Sequence, residues 1–392
     1  MNLEDVMMAE QTESQGPEHK LPRLFAVDTL RGLIMAFMAL DHANLLIAQK
    51  HSSGEYWGGA FPIYYDSLAF VTRFLTHLCA PGFFFLMGTG MALFCHSRRE
   101  RGWSRWAVIR HFLIRGAALI ALQLLVVNRL WWLSPAGWGI HTYIGVLFAL
   151  GSTMILGSLL VWLKPGILLG VTVALMVGTE LLVPDLSQWG PGMSPLNLIV
   201  LTPGGFISET DRLLWSNYPL LPWLELVTFG LVFGCWLAQD AKKAFRRAMA
   251  IGAACLAGFA IVRFLDGFGN IRPRLGNTWI DWMNAVKYPP SIAFTLLTTG
   301  INLLILGLVA QVGERRQWFL RPLVVFGRAP LLFYVTHIVL YAGLGHLLTP
   351  NGTSIPLMVP FWLLGLLILF LPCLWYGRFK HRQPANSVLR FL

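Results

Sequence analysis

Charge is what this sequence has least of. Asp, Glu, Lys and Arg make up 12% of its 392 residues, about half the ~25% of an ordinary soluble domain, which excludes a water-surrounded globular enzyme. Its five cysteines, Cys79, Cys95, Cys235, Cys255 and Cys373, lie in or at the ends of apolar runs and never as Cys-x-x-Cys. That excludes a disulfide framework and a zinc site of the usual spacing, and no metal is expected. There is no Gly-x-Ser-x-Gly elbow, P-loop or His-Glu-x-x-His, so hydrolase, ATPase and metalloprotease chemistry have no support. The first twenty residues lack an apolar core and do not read as a cleavable signal peptide. Residues 1–22 are expected to form a disordered cytoplasmic tail and 23–392 one membrane domain, whose first helix doubles as the insertion signal.

What is present is apolar length. Hydrophobic residues reach 56%, in recurrent runs of membrane-spanning size. The expected fold is all-α, a polytopic bundle of about ten helices near 24–47, 67–95, 107–127, 141–162, 165–184, 220–239, 246–265, 291–312, 322–347 and 357–377. With the N-terminus inside, the short inner segments gather Lys20, Arg23, Arg98, Arg99, Arg101, Arg105, Lys164, Lys242, Lys243, Arg246, Arg247, Arg315, Arg316, Arg321, Arg378, Lys380, Arg382 and Arg390. The longer outer segments hold far fewer basic residues, which is the positive-inside bias. The net charge of +11 is therefore a topology signal, and nucleic acid is not an expected partner. A multi-pass protein of a bacterial inner membrane, both termini cytoplasmic, is the expectation. The outer segments 48–66, 185–219 and 266–290 are rich in Tyr and Trp. These aromatics suit an interfacial belt, a platform for sugar faces, or both.

Polar residues inside apolar runs point to chemistry, because each costs roughly 2.5–3.5 kcal/mol even on lenient insertion scales. The first helix carries Asp28, Arg31 and His42. Arg31 and His42 share a face about three turns and roughly 16 Å apart, with Asp28 on the same stripe. Asp41 lies about 100° round the helix from His42 and need not orient it. Asp28 and Arg31 suit a structural ion pair equally well. Arg73 and His77 stand four apart on the second helix, and Arg328, Tyr334 and His337 mark the ninth. Arg110, His111 and Arg115 reach into the third apolar run, where topology needs no charge. Glu225 is a lone carboxylate near a helix end.

Several stretches carry a family resemblance. Asp-x-x-Arg-Gly at 28–32, LDH at 40–42, FVTRFLTHLCAPGFFFLMGTGMA at 70–92, YPLLPW at 218–223, KYPPSIAFTLLTTG at 287–300 and FGRAPLLFYVTH at 326–337 run in order along the chain. Together they resemble the bacterial branch of the heparan-α-glucosaminide N-acetyltransferase family. More distantly, Arg31-x10-His42 looks like the signature of the acyltransferase-three family. The resemblance implies transfer of an acyl group, usually acetyl, from cytosolic acetyl-CoA or another acyl-CoA to a sugar or glycan on the far side of the membrane. It makes His42 the first candidate for general base, since imidazole titrates near neutral pH. In the animal enzymes the corresponding histidine lies in the loop after this helix, where this chain has His51, so His51 is the second candidate. Guanidinium forks match the phosphates of coenzyme A, which makes Arg110 and Arg115 donor-binding candidates, with His111, Arg73, His77, Arg328 and His337 lining the same site. Membrane lipid is an expected neighbour, and a homodimer is left open. Polar residues midway through several helices also suit a transporter, the rival reading, although no inverted repeat is evident.

Overall fold

A computed structural model describes residues 25–52, 54–64, 66–190, 193–208 and 210–382. The tail expected at 1–22 lies outside these residues. The helices are α1 (Phe25–Ala48), α2 (Ser67–Glu100), α3 (Arg105–Leu133), α4 (Val146–Leu160), α5 (Pro165–Leu182), α6 (Leu220–Gln239), α7 (Ala241–Leu265), α8 (Ile292–Ala310), α9 (Pro330–Leu348) and α10 (Ile355–Lys380). Among the described residues nine of them are long and apolar enough to cross a membrane, and α4 is a shorter apolar helix. The protein is a multi-pass integral membrane protein of the all-α class. The helix expected at 322–347 is broken: Arg321–Arg328 forms a separate short helix ahead of α9. Pro330 explains the break, because proline disfavours the helical region for its predecessor, and Ala329 leaves it with φ −124° and ψ 48°.

Local signals set the helix starts. The side chain of Asp66 accepts from Leu68 N at 3.0 Å, Asp240 from Lys243 N at 3.0 Å and Ser291 from Phe294 N at 3.1 Å, each satisfying a donor at a helix N-terminus. Packing then relies on small residues, as expected where lipid offers no hydrophobic drive between helices. A Cβ on Gly88 of α2 would stand 2.1 Å from Val227 O of α6, and one on Gly230 would stand 2.2 Å from Phe85 O. Gly32 of α1 and Gly327 of the short helix make the same kind of approach, 1.7 Å and 2.1 Å from the opposing backbone oxygens of Leu323 and Asp28.

The described residues of segments 49–66, 134–145, 183–219 and 266–291 meet at one end of the bundle and form a cap. β1 (Thr142–Ile144) runs parallel to β3 (Leu213–Ser216), which pairs antiparallel with β2 (Gly204–Ile207). Trp57 N donates to Tyr288 O at 2.8 Å, and Trp57 Nε1 donates to Pro203 O at 3.0 Å. Tyr56, Trp57 and Tyr288 are all buried, and Tyr56 packs against Trp189, Trp215 and Tyr288. These aromatics form the core of the cap. The short connections at the opposite end, 101–104, 161–164, residue 240 and 311–320, lie among most of the basic residues.

Candidate active site

His42 stands near the capped end of α1, where the helix loosens to π-type turns over Asn44–Ala48, a distortion that often accompanies functional sites. Its Nδ1 lies 2.5 Å from Nε2 of His337 on α9. Nδ1 of His337 lies in turn 2.8 Å from Phe333 O. A carbonyl only accepts, so His337 carries its proton on Nδ1 and presents Nε2 as an acceptor. His42 must then donate from Nδ1, and its Nε2 keeps a lone pair. The two rings stack with centroids 4.8 Å apart, and Trp131 meets His42 edge-on at 5.0 Å. Imidazole orientation and tautomer are both fixed by neighbours.

His42 lines a cavity of about 60 Å³ with Met38, Asp41, Thr76, Cys79, Trp131, Tyr218, Lys287 and Tyr334 among its walls. Asp41 borders the same cavity and anchors a second cluster. Its Oδ1 accepts from Arg73 Nη1 at 2.8 Å and Thr76 Oγ1 at 2.8 Å, with His51 Nε2 at 3.1 Å. Arg73 also binds Glu55 bidentately, Nε to Oε1 and Nη2 to Oε2, both at 2.8 Å. Tyr64 donates to Glu55 at 3.0 Å, and His77 Nε2 lies 3.3 Å from it. Glu55 is 0% exposed and Arg73 2%. Burial pushes the Glu55 carboxyl up, but the charge and hydrogen bonds of Arg73, with those of His77, override it and hold Glu55 well below the usual carboxylate range. His51 Nε2 also lies 2.8 Å from Arg73 Nη1. A neutral ring can accept from that arginine or donate to Asp41 through this nitrogen, but not both. His51 is therefore held in the cluster beneath the cap.

Asp28 and Arg31 gather at the other end of α1. Arg31 Nη1 donates to Asp28 Oδ1 at 2.9 Å and to Gly327 O at 3.0 Å. Arg328 Nε stands 3.7 Å from Asp28 Oδ2, and Arg115 is within electrostatic range of Arg31. Buried Met35 and Met38 occupy the α1 face between Arg31 and His42, so the polar stripe is two polar ends joined by thioethers. His111 stacks on Phe94 at 4.3 Å, with Arg98 over the same ring at 4.9 Å. Arg110 is exposed. The candidates thus divide: His42 and His337 together, His51, Arg73 and His77 in the cap cluster, and Asp28, Arg31, Arg115 and Arg328 at the basic end.

The profile of the family described as heparan-alpha-glucosaminide N-acetyltransferase, catalytic, matches residues 23–262. The chain belongs to that family. Human heparan-alpha-glucosaminide N-acetyltransferase is 29% identical over 132 residues, 34% of this chain and 18% of that protein. The mouse protein is 30% identical over 131 residues, 33% of this chain and 18% of its own length. The matches therefore span less than a fifth of these relatives. The family profile takes in His42, His51, Glu55 and Arg73 and ends ahead of Lys287 and His337.

The sequence gives little sign of Glu55, and it places Lys287 at the outer start of α8, lining the site rather than reacting there. Glu55 sits in a Gly- and Ser-containing loop with no helical period to give it a face. Its one signal is an acid between His51 and the Tyr56-Trp57 pair. Lys287 is 3% exposed, and nothing in its Lys-Tyr-Pro-Pro context reveals that burial.

Proposed function

We propose that the protein is a membrane-embedded acetyltransferase that moves an acetyl group from acetyl-CoA, entering at the basic end, to a hydroxyl or amine of a sugar or glycan at the capped end. The observation that carries this reading is the Phe333–His337–His42 chain, which leaves His42 Nε2 as an acceptor with no partner among the described residues, on a side chain that lines the cavity. A base with a fixed tautomer takes the acceptor's proton as its oxygen or nitrogen attacks the thioester carbonyl. At the far end Arg31, Arg115 and Arg328 supply charge suited to the donor's phosphates. The basic connections favour a cytoplasmic location for that end, leaving the cap outside. Between the ends, the Met35 and Met38 face suits a slim acyl-pantetheine arm better than a charged nucleotide.

His51 supports a second reading, because its Nε2 faces the Asp41 carboxylate in the manner of an oriented base. Its shared contact with Arg73 and its absence from the walls of the His42 cavity favour His42. Purified protein in sealed vesicles, given acetyl-CoA on one face and a glycan acceptor on the other, tests both the enzyme and the transporter readings. Acetylated acceptor on the far side with coenzyme A released on the donor side supports transfer. An unmodified acceptor crossing without acetyl-CoA would favour transport. His42→Ala is expected to lower transfer by ~10²–10⁴ with donor affinity intact. An active His42→Ala protein beside a dead His51→Ala protein would move the base to the cap cluster.

A further inference from the structure

Lys287 is a buried cation with no counter-ion in contact among the described residues. It belongs to segment 266–291, and its backbone is fixed: Lys287 N and Tyr288 N donate to Glu55 O at 2.9 and 3.0 Å, while Ser291 N donates to Val286 O at 3.0 Å. The ammonium stands 5.0 Å from the Tyr288 ring and among the described residues makes no hydrogen bond. A lysine kept only to neutralise Asp41 and Glu55 belongs against one of them. Arg73 holds both of those places at 2.8 Å, and no described carboxylate comes within 4.0 Å of Lys287. Lys287 instead lines the cavity that contains His42, and it is the one cation among the described residues that do so. Among the described residues no acceptor meets its three N–H donors, and the residue borders this cavity.

Resting on the function proposed above, we infer that Lys287 is a catalytic residue whose ammonium donates to the thioester carbonyl oxygen of the acyl donor and stabilises the negative charge that forms there. The acceptor's oxygen or nitrogen attacks the carbonyl carbon and gives its proton to His42 Nε2, while the carbonyl π pair moves onto oxygen beside Lys287. Collapse restores the C=O bond, breaks the C–S bond and expels coenzyme A thiolate, which takes the proton back from His42. Charge thus develops between a base on α1 and a fixed donor on the cap, the arrangement by which oxyanion stabilisation lowers an acyl-transfer barrier. Burial first, and then the Arg73 guanidinium, pull Lys287 down to about 8, which leaves it mostly protonated at neutral pH.

The test reads the carbonyl itself. Acetyl-CoA labelled with ¹³C at the carbonyl is bound to the wild-type protein without acceptor, and its C=O stretch is measured by difference infrared spectroscopy. The expected result is a stretch below that of free acetyl-CoA, returning toward the free value in Lys287→Met measured at saturating donor, and a fall in kcat of ~10²–10³. A purely structural lysine would alter folded yield without moving the stretch selectively. If Lys287→Met does not fold, Lys287→Gln, a neutral donor, should show a reduced shift. A wild-type stretch equal to that of free acetyl-CoA overturns the inference without any variant, as does an undiminished shift in either variant. Failure of the wild-type protein to bind acetyl-CoA refutes the donor reading beneath it, whereas activity retained by His42→Ala removes the base and leaves the carbonyl measurement standing.

Discussion

Replacing His337 with Phe tests whether the base depends on its neighbour. Phe keeps a ring to stack on His42, now at 4.8 Å between centroids, but removes the acceptor 2.5 Å from His42 Nδ1. His337 is 0% exposed, so an orphaned Nδ1–H beside it loses a bond that water does not readily replace. An unsatisfied buried donor costs ~1–3 kcal/mol, and the ring can avoid that cost by moving its proton to Nε2, the atom that acts as base in the proposed transfer. Acetyl transfer at saturating donor should therefore fall ~5- to 150-fold, taking that whole energy as the tautomer preference. His337→Gln, whose side-chain oxygen can accept from Nδ1, should recover part of the loss. The decisive assay is a double-mutant cycle in nanodiscs with His42→Ala. If His337 acts only through His42, the double variant is no slower than His42→Ala alone. Losses that multiply, or a His337→Phe protein at full rate, would refute the relay.

Four further outcomes follow from the same geometry. Glu55→Gln breaks a buried bidentate pair and should cost about 3 kcal/mol, the lower part of the ~3–5 range because Arg73 keeps Asp41; unfolding midpoints in detergent should drop clearly, and by less for the paired Glu55→Gln/Arg73→Met change than for the sum of the singles. Because the folded Glu55 carboxyl is held below its unfolded value, its stabilisation is present above the unfolded value and lost as pH falls through the folded one, so melts at decreasing pH should lose less stability in Glu55→Gln than in wild type. Lys287, facing Asp41, Glu55, Arg73, His42 and Cys79, should give activity an alkaline limb as pH rises through about 8, displaced upward in Lys287→Arg; a profile unchanged by that substitution contradicts a protonated Lys287. Gly32→Ala, whose Cβ would meet Leu323 O at 1.7 Å, should lose folded yield in size-exclusion chromatography, while Gly90→Ala, with nothing within 4 Å, should not.

The order of the helices was legible because each needs only a run of apolar residues, and the helices of the structure fall on the expected stretches. Arg31 and Asp28 were legible as a pair because they are three apart on one helix. The break at Ala329 was not foreseen, although Pro330 signalled it. The cap was also unforeseen: its strands are three and four residues long and bring together positions near 142, 205 and 215, and no local period encodes such pairing.

Sequence by itself determined membrane residence, the all-α class, the two unlike ends of the bundle and the presence of His42 and His51, because composition, run length and residue identity are local properties. Only the tertiary structure decided which groups act on one another. His337 reaches His42 across 295 positions, Arg73 gathers Glu55 and Asp41 from two other segments, and Lys287 enters the cavity from a cap segment far along the chain. A tautomer, a buried ion pair and a charge bordering a cavity are each fixed by distance and burial, and these exist only once the chain has closed on itself.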